Sequence, residues 1–282
     1  TARVGGDVYT RSVQVFPVNE RASFMFETEG NPDTEVFIVV PDGLTADSDL
    51  LSIHHGMDRN ADEYIYRWDD WGIETDTLLI APNFPREDYP RGHNYNLGNL
   101  FSGDREGQGD LNTKSAWAFS IASEAAQYVL DGFALDADDY LAWGHSAGAQ
   151  FLHRMMVFLP EAPIRLGMPA NPGWWTEPTL DIYFPYGLYH PKLNITQSDI
   201  QAWTERPTVI FRGTEDTRRT SSVRQTEWAD AQGPHRYARA GHMYEQIITV
   251  NPNANWELID VRRCGHSSWC MARAAQRYLD RR

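Results

Sequence analysis

Gly144-His145-Ser146-Ala147-Gly148 sets a serine between two glycines, with the apolar run DDYLAW before it and AQFLHRMMVFL after it. A strand that stops and a helix that starts around such a pentapeptide must turn very tightly. Side chains two residues either side of the serine would strike neighbouring backbone, and glycine removes them. The turn lifts the hydroxyl clear of the chain and aims the free N–H groups of the next helix at it. This is a place for nucleophilic attack on a carbonyl. The hydroxyl needs a base to take its proton, and the base needs an acid to orient it.

On a turn of this kind the partners follow in chain order, acid and then histidine. Asp216 comes just after the apolar run PTVIFRG, and His266 comes after the last run, WELIDV. Ser146 is therefore expected as nucleophile, His266 as base and Asp216 as acid, with Glu215 the rival to Asp216. Asp260 lies inside the last run and is a weaker choice. His235 and His242 read as surface or structural residues, and His145 should face away from the hydroxyl beside it. A developing oxyanion needs two donors. The N–H of Ala147, next to the serine, is one; the N–H of Met57 is the other, in His55-Gly56-Met57 after the apolar run LLSI. His54 and His55 are adjacent on a strand and would point to opposite faces, so no metal site is expected there.

Elements of two kinds must hold these residues. EVFIVVP, LLSIHHG, TLLIAPNF, DYLAWGH, RLGMPAN, PTVIFRG and WELIDVRRCGH are short, nearly continuous apolar runs, as strands buried on both faces require. VYTRSVQVF and RASFMFET alternate polar and apolar residues and read as an antiparallel hairpin. Helical patterns cover 60–75 with Asn60 as N-cap, 113–133, 221–233 ending in Gly233, and 267–281. Strands alternating with helices predict an α/β fold with a mainly parallel central sheet flanked by helices, and ligands at the carboxyl ends of its strands.

The 282 residues carry a net charge of −14, which opposes binding to nucleic acid or to an anionic membrane. Hydrophobic residues make up 41%, enough for a sizeable core, yet no apolar run is long enough to span a bilayer. The two cysteines, Cys264 and Cys270, bracket His266. A disulfide between them is expected to clamp the loop carrying the base, and it implies an oxidising, secreted or periplasmic setting.

HHGM, GHSAG, GTEDT and CGHSS, in that order along nearly the whole chain, resemble the α/β-hydrolase superfamily. More narrowly, the chain resembles the secreted esterase branch containing polyhydroxybutyrate depolymerases and feruloyl esterases. The resemblance implies one α/β-hydrolase domain over 1–282 with little or no lid, and an irregular aromatic flap around 171–205. It implies carboxylic-ester hydrolysis through a Ser-His-Asp triad and a covalent acyl-enzyme, on a small or polymeric ester, with no metal or cofactor. Trp175, Tyr95 and Trp174 lie in loops at the carboxyl side of the strands and are expected to form a platform for an apolar, aromatic or polymeric group. The same triad could serve an amidase, a peptidase or an acyltransferase; a non-catalytic binding protein on this scaffold is the alternative from another class.

Overall fold

The computed structural model describes residues 3–4, 7–8 and 16–282. Eight strands form one sheet: β1 Arg21–Phe26, β2 Thr34–Val39, β3 Leu50–His54, β4 Leu78–Pro82, β5 Tyr140–His145, β6 Ile164–Ala170, β7 Thr208–Gly213 and β8 Trp256–Val261. Their order across the sheet is β8-β7-β6-β5-β3-β4-β2-β1. β2 runs antiparallel to both β1 and β4, and every other neighbouring pair is parallel. Arg3–Val4 and Asp7–Val8 form a separate short ladder.

The apolar runs are continuous because both faces of the central strands are covered. In β3, Leu50 faces one core while Leu51 and Ile53 face the other; in β5, Tyr140 and Ala142 face the first, Leu141 and Trp143 the second. Along the chain the helices are α1 Ala61–Tyr66, α2 Asp69–Glu74, α3 Gly92–Tyr95, α4 Ala118–Phe133, α5 Ala147–Phe158, α6 Gln197–Glu205, α7 Glu227–Ala231, α8 Arg236–Val250 and α9 Ser268–Leu279. α4, α5 and α8 feed the first core through residues such as Phe119, Phe151 and Met243. α1 and α9 feed the second through Ile65 and Met271. No helix among the described residues is long and apolar enough to cross a membrane.

Several local expectations change. The antiparallel hairpin is β1 with β2, and residues 9–15 of the expected first strand VYTRSVQVF lie outside the described residues. The pattern over 60–75 breaks into α1 and α2, and Asn60 stands at the start of α1 without a side-chain cap bond. Over 221–233 only Glu227–Ala231 is helical, capped by Thr226, with Gly233 beyond it at φ 136. The segment 171–205 ends in α6, whose N-terminus is closed by a reciprocal Thr196–Asp199 capping box. Helix α8, unforeseen in the pattern, starts behind the loop that carries Asp216.

Candidate active site

Ser146 joins β5 to α5 with φ 58 and ψ −113, a positive φ that an L side chain adopts only under strain. Its N–H donates to the Ala170 carbonyl at 3.0 Å, tying the turn to the end of β6. The glycines answer to contacts. A Cβ on Gly144 would lie 2.4 Å from the Gly148 carbonyl oxygen, and one on Gly148 would lie 2.0 Å from that of His54. His145 turns away from the serine hydroxyl into the protein, where its Nδ1 meets the Tyr64 hydroxyl at 3.0 Å. Burial holds the His145 ring far below the usual imidazole range, so it stays neutral.

The three residues expected from the sequence come together. His266 Nε2 lies 3.0 Å from Ser146 Oγ, and His266 Nδ1 lies 2.7 Å from Asp216 Oδ2. The network assigns the proton to Nδ1, leaving Nε2 to accept from the serine. Asp216 is buried, whereas His266 keeps an edge toward solvent. Glu215 contributes its backbone, whose N–H donates to the Cys264 carbonyl at 2.9 Å. Asp260 is engaged by Arg212 at 2.6 Å on the neighbouring strand. His235 caps α8 by accepting from the Ala238 N–H, and His242 lies 3.2 Å from Glu177. Neither contact is with the Ser146–His266–Asp216 set.

Asn171, absent from the sequence reading, locks the loops to one another. It leaves β6 at φ 46, accepts from the Gly213 N–H at 2.8 Å and donates to the Gly265 carbonyl at 3.0 Å. The loops after β6, β7 and β8 are thereby bonded together. Gly213 is a glycine because a Cβ there would lie 2.3 Å from the Cys264 carbonyl oxygen. Cys264 and Cys270 are joined by a disulfide across the His266 loop, with Cα atoms 6.1 Å apart. Ser267 caps α9 by accepting from the Cys270 N–H.

The His55-Gly56-Met57 loop is fixed from behind. His55 Nδ1 donates to the Gly56 carbonyl at 2.9 Å, and its Nε2 accepts from the Phe84 N–H at 3.1 Å. Burial, the largest influence, brings the His55 pKa down to about 3, and the same cause brings His54 to about 3. Both rings are neutral. Arg86 donates to the Met57 carbonyl at 2.6 Å, which holds the Met57–Asp58 peptide in place. A Cβ on Gly56 would lie 2.5 Å from the Tyr64 hydroxyl, so this loop and the His145 side chain both meet the phenol that helix α1 supplies. Ala147 is the first residue of α5, so its N–H has no acceptor within the helix.

The three aromatics expected to form a platform sit inside the protein. Tyr95 and Trp175 are fully buried, and Trp174 nearly so. Tyr95 gives its hydroxyl to the His55 carbonyl at 2.7 Å and stacks on the His55 ring at 4.4 Å, so it supports the loop from below. Trp175 packs against His153, while Gln232 accepts from its backbone N–H and donates to its carbonyl. Trp174 lies between the Arg154 and Arg224 guanidinium groups, 4.1 and 4.6 Å from its ring centre. Large apolar surface that the chain can bring inside goes inside. The aromatics that this segment leaves exposed are Tyr183 and Tyr189, in edge-to-face contact at 4.9 Å.

An open, mainly parallel eight-stranded sheet in this order, with a strained serine after the fifth strand and helices on both faces, is the α/β-hydrolase fold. Within that fold the chain resembles polyhydroxybutyrate depolymerases. Poly(aspartic acid) hydrolase-1 from Sphingomonas sp. KT-1 superposes with a TM-score of 0.87 at 28% identity, over 93% of this chain and 98% of that one. The poly(3-hydroxybutyrate) depolymerase LpqC from Bordetella parapertussis gives 0.86 at 28% identity, over 93% and 91%. A fluorophosphonate-binding serine hydrolase of Staphylococcus aureus shares the fold alone, with a TM-score of 0.57 and 13% identity over 93% and 97% of the two chains. No protein-family profile and no curated protein sequence matches the chain. The likenesses support a hydrolase activity.

Proposed function

We propose that this protein is a serine hydrolase of carboxylic esters, small or polymeric, working as one domain over residues 1–282. The observation that carries the reading is the unbroken chain from Ser146 Oγ to His266 at 3.0 Å and on to Asp216 at 2.7 Å, mounted on a strained turn. Ser146 Oγ adds to the ester carbonyl as its proton passes to His266 Nε2. The resulting imidazolium keeps its Nδ1–H on Asp216, which holds the ring and balances the charge. The N–H groups of Met57 and Ala147 receive the oxyanion. Collapse expels the alcohol, which takes the proton from Nε2 and leaves an acyl-serine. Water, deprotonated by His266, then releases the acid. No step calls for a metal or cofactor. The disulfide favours a secreted or periplasmic setting.

An amide-cleaving reading has one specific observation in its favour. Of two equally similar neighbours, one is described as a hydrolase of poly(aspartic acid), a polymer joined by amide bonds, and the other as a depolymerase of a polyester. The net charge of −14 sets a polyanionic substrate at an electrostatic disadvantage, which leaves esters ahead. Hydrolysis of short and long p-nitrophenyl esters by the protein and by Ser146→Ala tests the assignment. Turnover that survives in the variant rejects the nucleophile. Matched ester and amide analogues of one acyl group decide between the two substrate classes.

A further inference from the structure

Asp216 is buried with both carboxylate oxygens engaged. Oδ2 takes the His266 ring, and Oδ1 takes Arg236 Nη1 at 3.2 Å. Arg236 is itself buried; its side chain is 4% exposed and that of Asp216 3%. Its Nη2 donates to the Ser222 carbonyl at 3.2 Å and the Ser222 hydroxyl at 3.0 Å. It opens helix α8, whose start is fixed by His235, and the next N–H, that of Tyr237, donates to the Asp216 backbone carbonyl at 3.3 Å. The acid is therefore pinned to α8 through its side chain and its main chain.

This is more support than a triad acid needs for packing alone. A carboxylate removed from water is costly unless hydrogen bonds and an opposite charge offset the loss of solvation. His266, which must accept a proton from Ser146, does not supply that opposite charge in the form that begins the reaction. Among the described residues, Arg236 is the permanently charged group that forms an ion pair with Asp216. Its planar fork, gripped by Ser222, also fixes which oxygen is left for the histidine.

We infer that Arg236 is a positioning residue for the hydrolysis proposed above: it holds the Asp216 carboxylate rotated so that Oδ2 meets His266 Nδ1 throughout proton transfer. The inference rests on the serine-hydrolase reading and adds a fourth member, on a separate helix, to the Ser146–His266–Asp216 chain. A group that acts only through the acid should change the chemical step and leave substrate binding alone.

The test is p-nitrophenyl butyrate hydrolysis by the full chain, Arg236→Gln and Arg236→Lys, with kcat expressed per site titrated by a fluorophosphonate, and by Ser146→Ala, with turnover expressed per mole of protein. Arg236→Gln is expected to lower kcat about 10²-fold, the scale of a small misplacement of a reacting group, at unchanged KM. Arg236→Lys keeps the charge and loses the fork, so it should fall between, about tenfold below the parent. The low-field proton signal of the His266–Asp216 hydrogen bond should move in both variants. Parent kcat and an unmoved proton signal in Arg236→Gln overturn the inference. So does a change in KM alongside a loss of kcat that Lys relieves no better than Gln. Should the Gln variant yield no titratable sites, the Lys variant carries the test: a lower kcat at constant KM with a displaced proton supports the role, and parent values reject it. Turnover retained by Ser146→Ala would instead bring down the serine-hydrolase reading itself. An inactive Ser146→Ala beside a fully active Arg236→Gln removes only the role of Arg236.

Discussion

Two groups of residues leave the same edge of the sheet and meet opposite fates. The loops after β5, β7 and β8 carry Ser146, Asp216 and His266, whose polar atoms end within hydrogen-bond distance of one another. The chain after β6 carries Trp174 and Trp175, which turn inward and become part of the core. Both groups sit where ligands of such sheets bind. The polar residues stay at the site because each finds a specific partner there, and a buried polar atom without one is heavily penalised. The tryptophans are stabilised by the apolar area they bury, even though the Trp175 indole N–H finds no acceptor inside. Residence at the carboxyl edge therefore marks a polar residue as a site candidate more strongly than an aromatic one.

The sharpest way to break this contrast is to disable one residue of each group. Asp216→Asn should cut kcat about 10⁴-fold, because the histidine would be held in the wrong tautomer. Burst and steady-state kinetics on a p-nitrophenyl ester measure it, and near-normal turnover would remove Asp216 from the site. Trp175→Ala should instead lower unfolding free energy by about 3–5 kcal/mol, the range for a buried large-to-small change, while kcat per titrated site persists. Denaturant titration checks the first half. A change confined to KM, with stability intact, would restore Trp175 as a substrate contact.

Smaller effects sharpen the picture. Replacing Cys264 and Cys270 together by serine should cost about 2 kcal/mol, as expected for so short a closed loop, with kcat lowered because the His266 loop loses its clamp. Thermal unfolding and turnover of the double variant test both parts. His54 and His55 supply a pH signature. Their folded pKa values lie near 3, below the ordinary imidazole value of 6.5, so the unfolded chain binds more protons between those limits. Stability contributed by these neutral rings is full above pH 6.5 and declines as pH falls toward 3, by at most about 1.4 kcal/mol per unit and per group. His54→Leu should flatten the acid side of a plot of stability against pH. Smallest is Tyr95→Phe, which removes the hydrogen bond to the His55 carbonyl and should cost about 1 kcal/mol. A loss of affinity larger than the loss of stability would return Tyr95 to the substrate surface.

The Ser146 turn was legible because its constraints are local. Gly144 and Gly148 are demanded by the turn and the backbone pressed against it, and a strand run and a helix run flank it in the sequence. Asp216 and His266 were legible through chain order and strand ends. Asn171 had a weaker signal, as the polar residue that ends RLGMPAN at the same edge. Arg236 had none: it opens a helix that the pattern did not announce, and it meets Asp216 only after α8 docks. The Tyr64 hydroxyl likewise reaches His145 across 81 positions of chain.

The sequence by itself determined the apolar runs, their alternation with helices, the tight serine turn and the order in which the acid and the histidine follow. These rest on sterics and hydrophobic periodicity within a few residues. The tertiary structure decided which aromatics vanish into the core, which carboxylate oxygen faces the histidine, and which arginine stands behind it. Those outcomes depend on distances between segments far apart in the chain, set by how helices pack on the sheet, and no local pattern encodes such a distance.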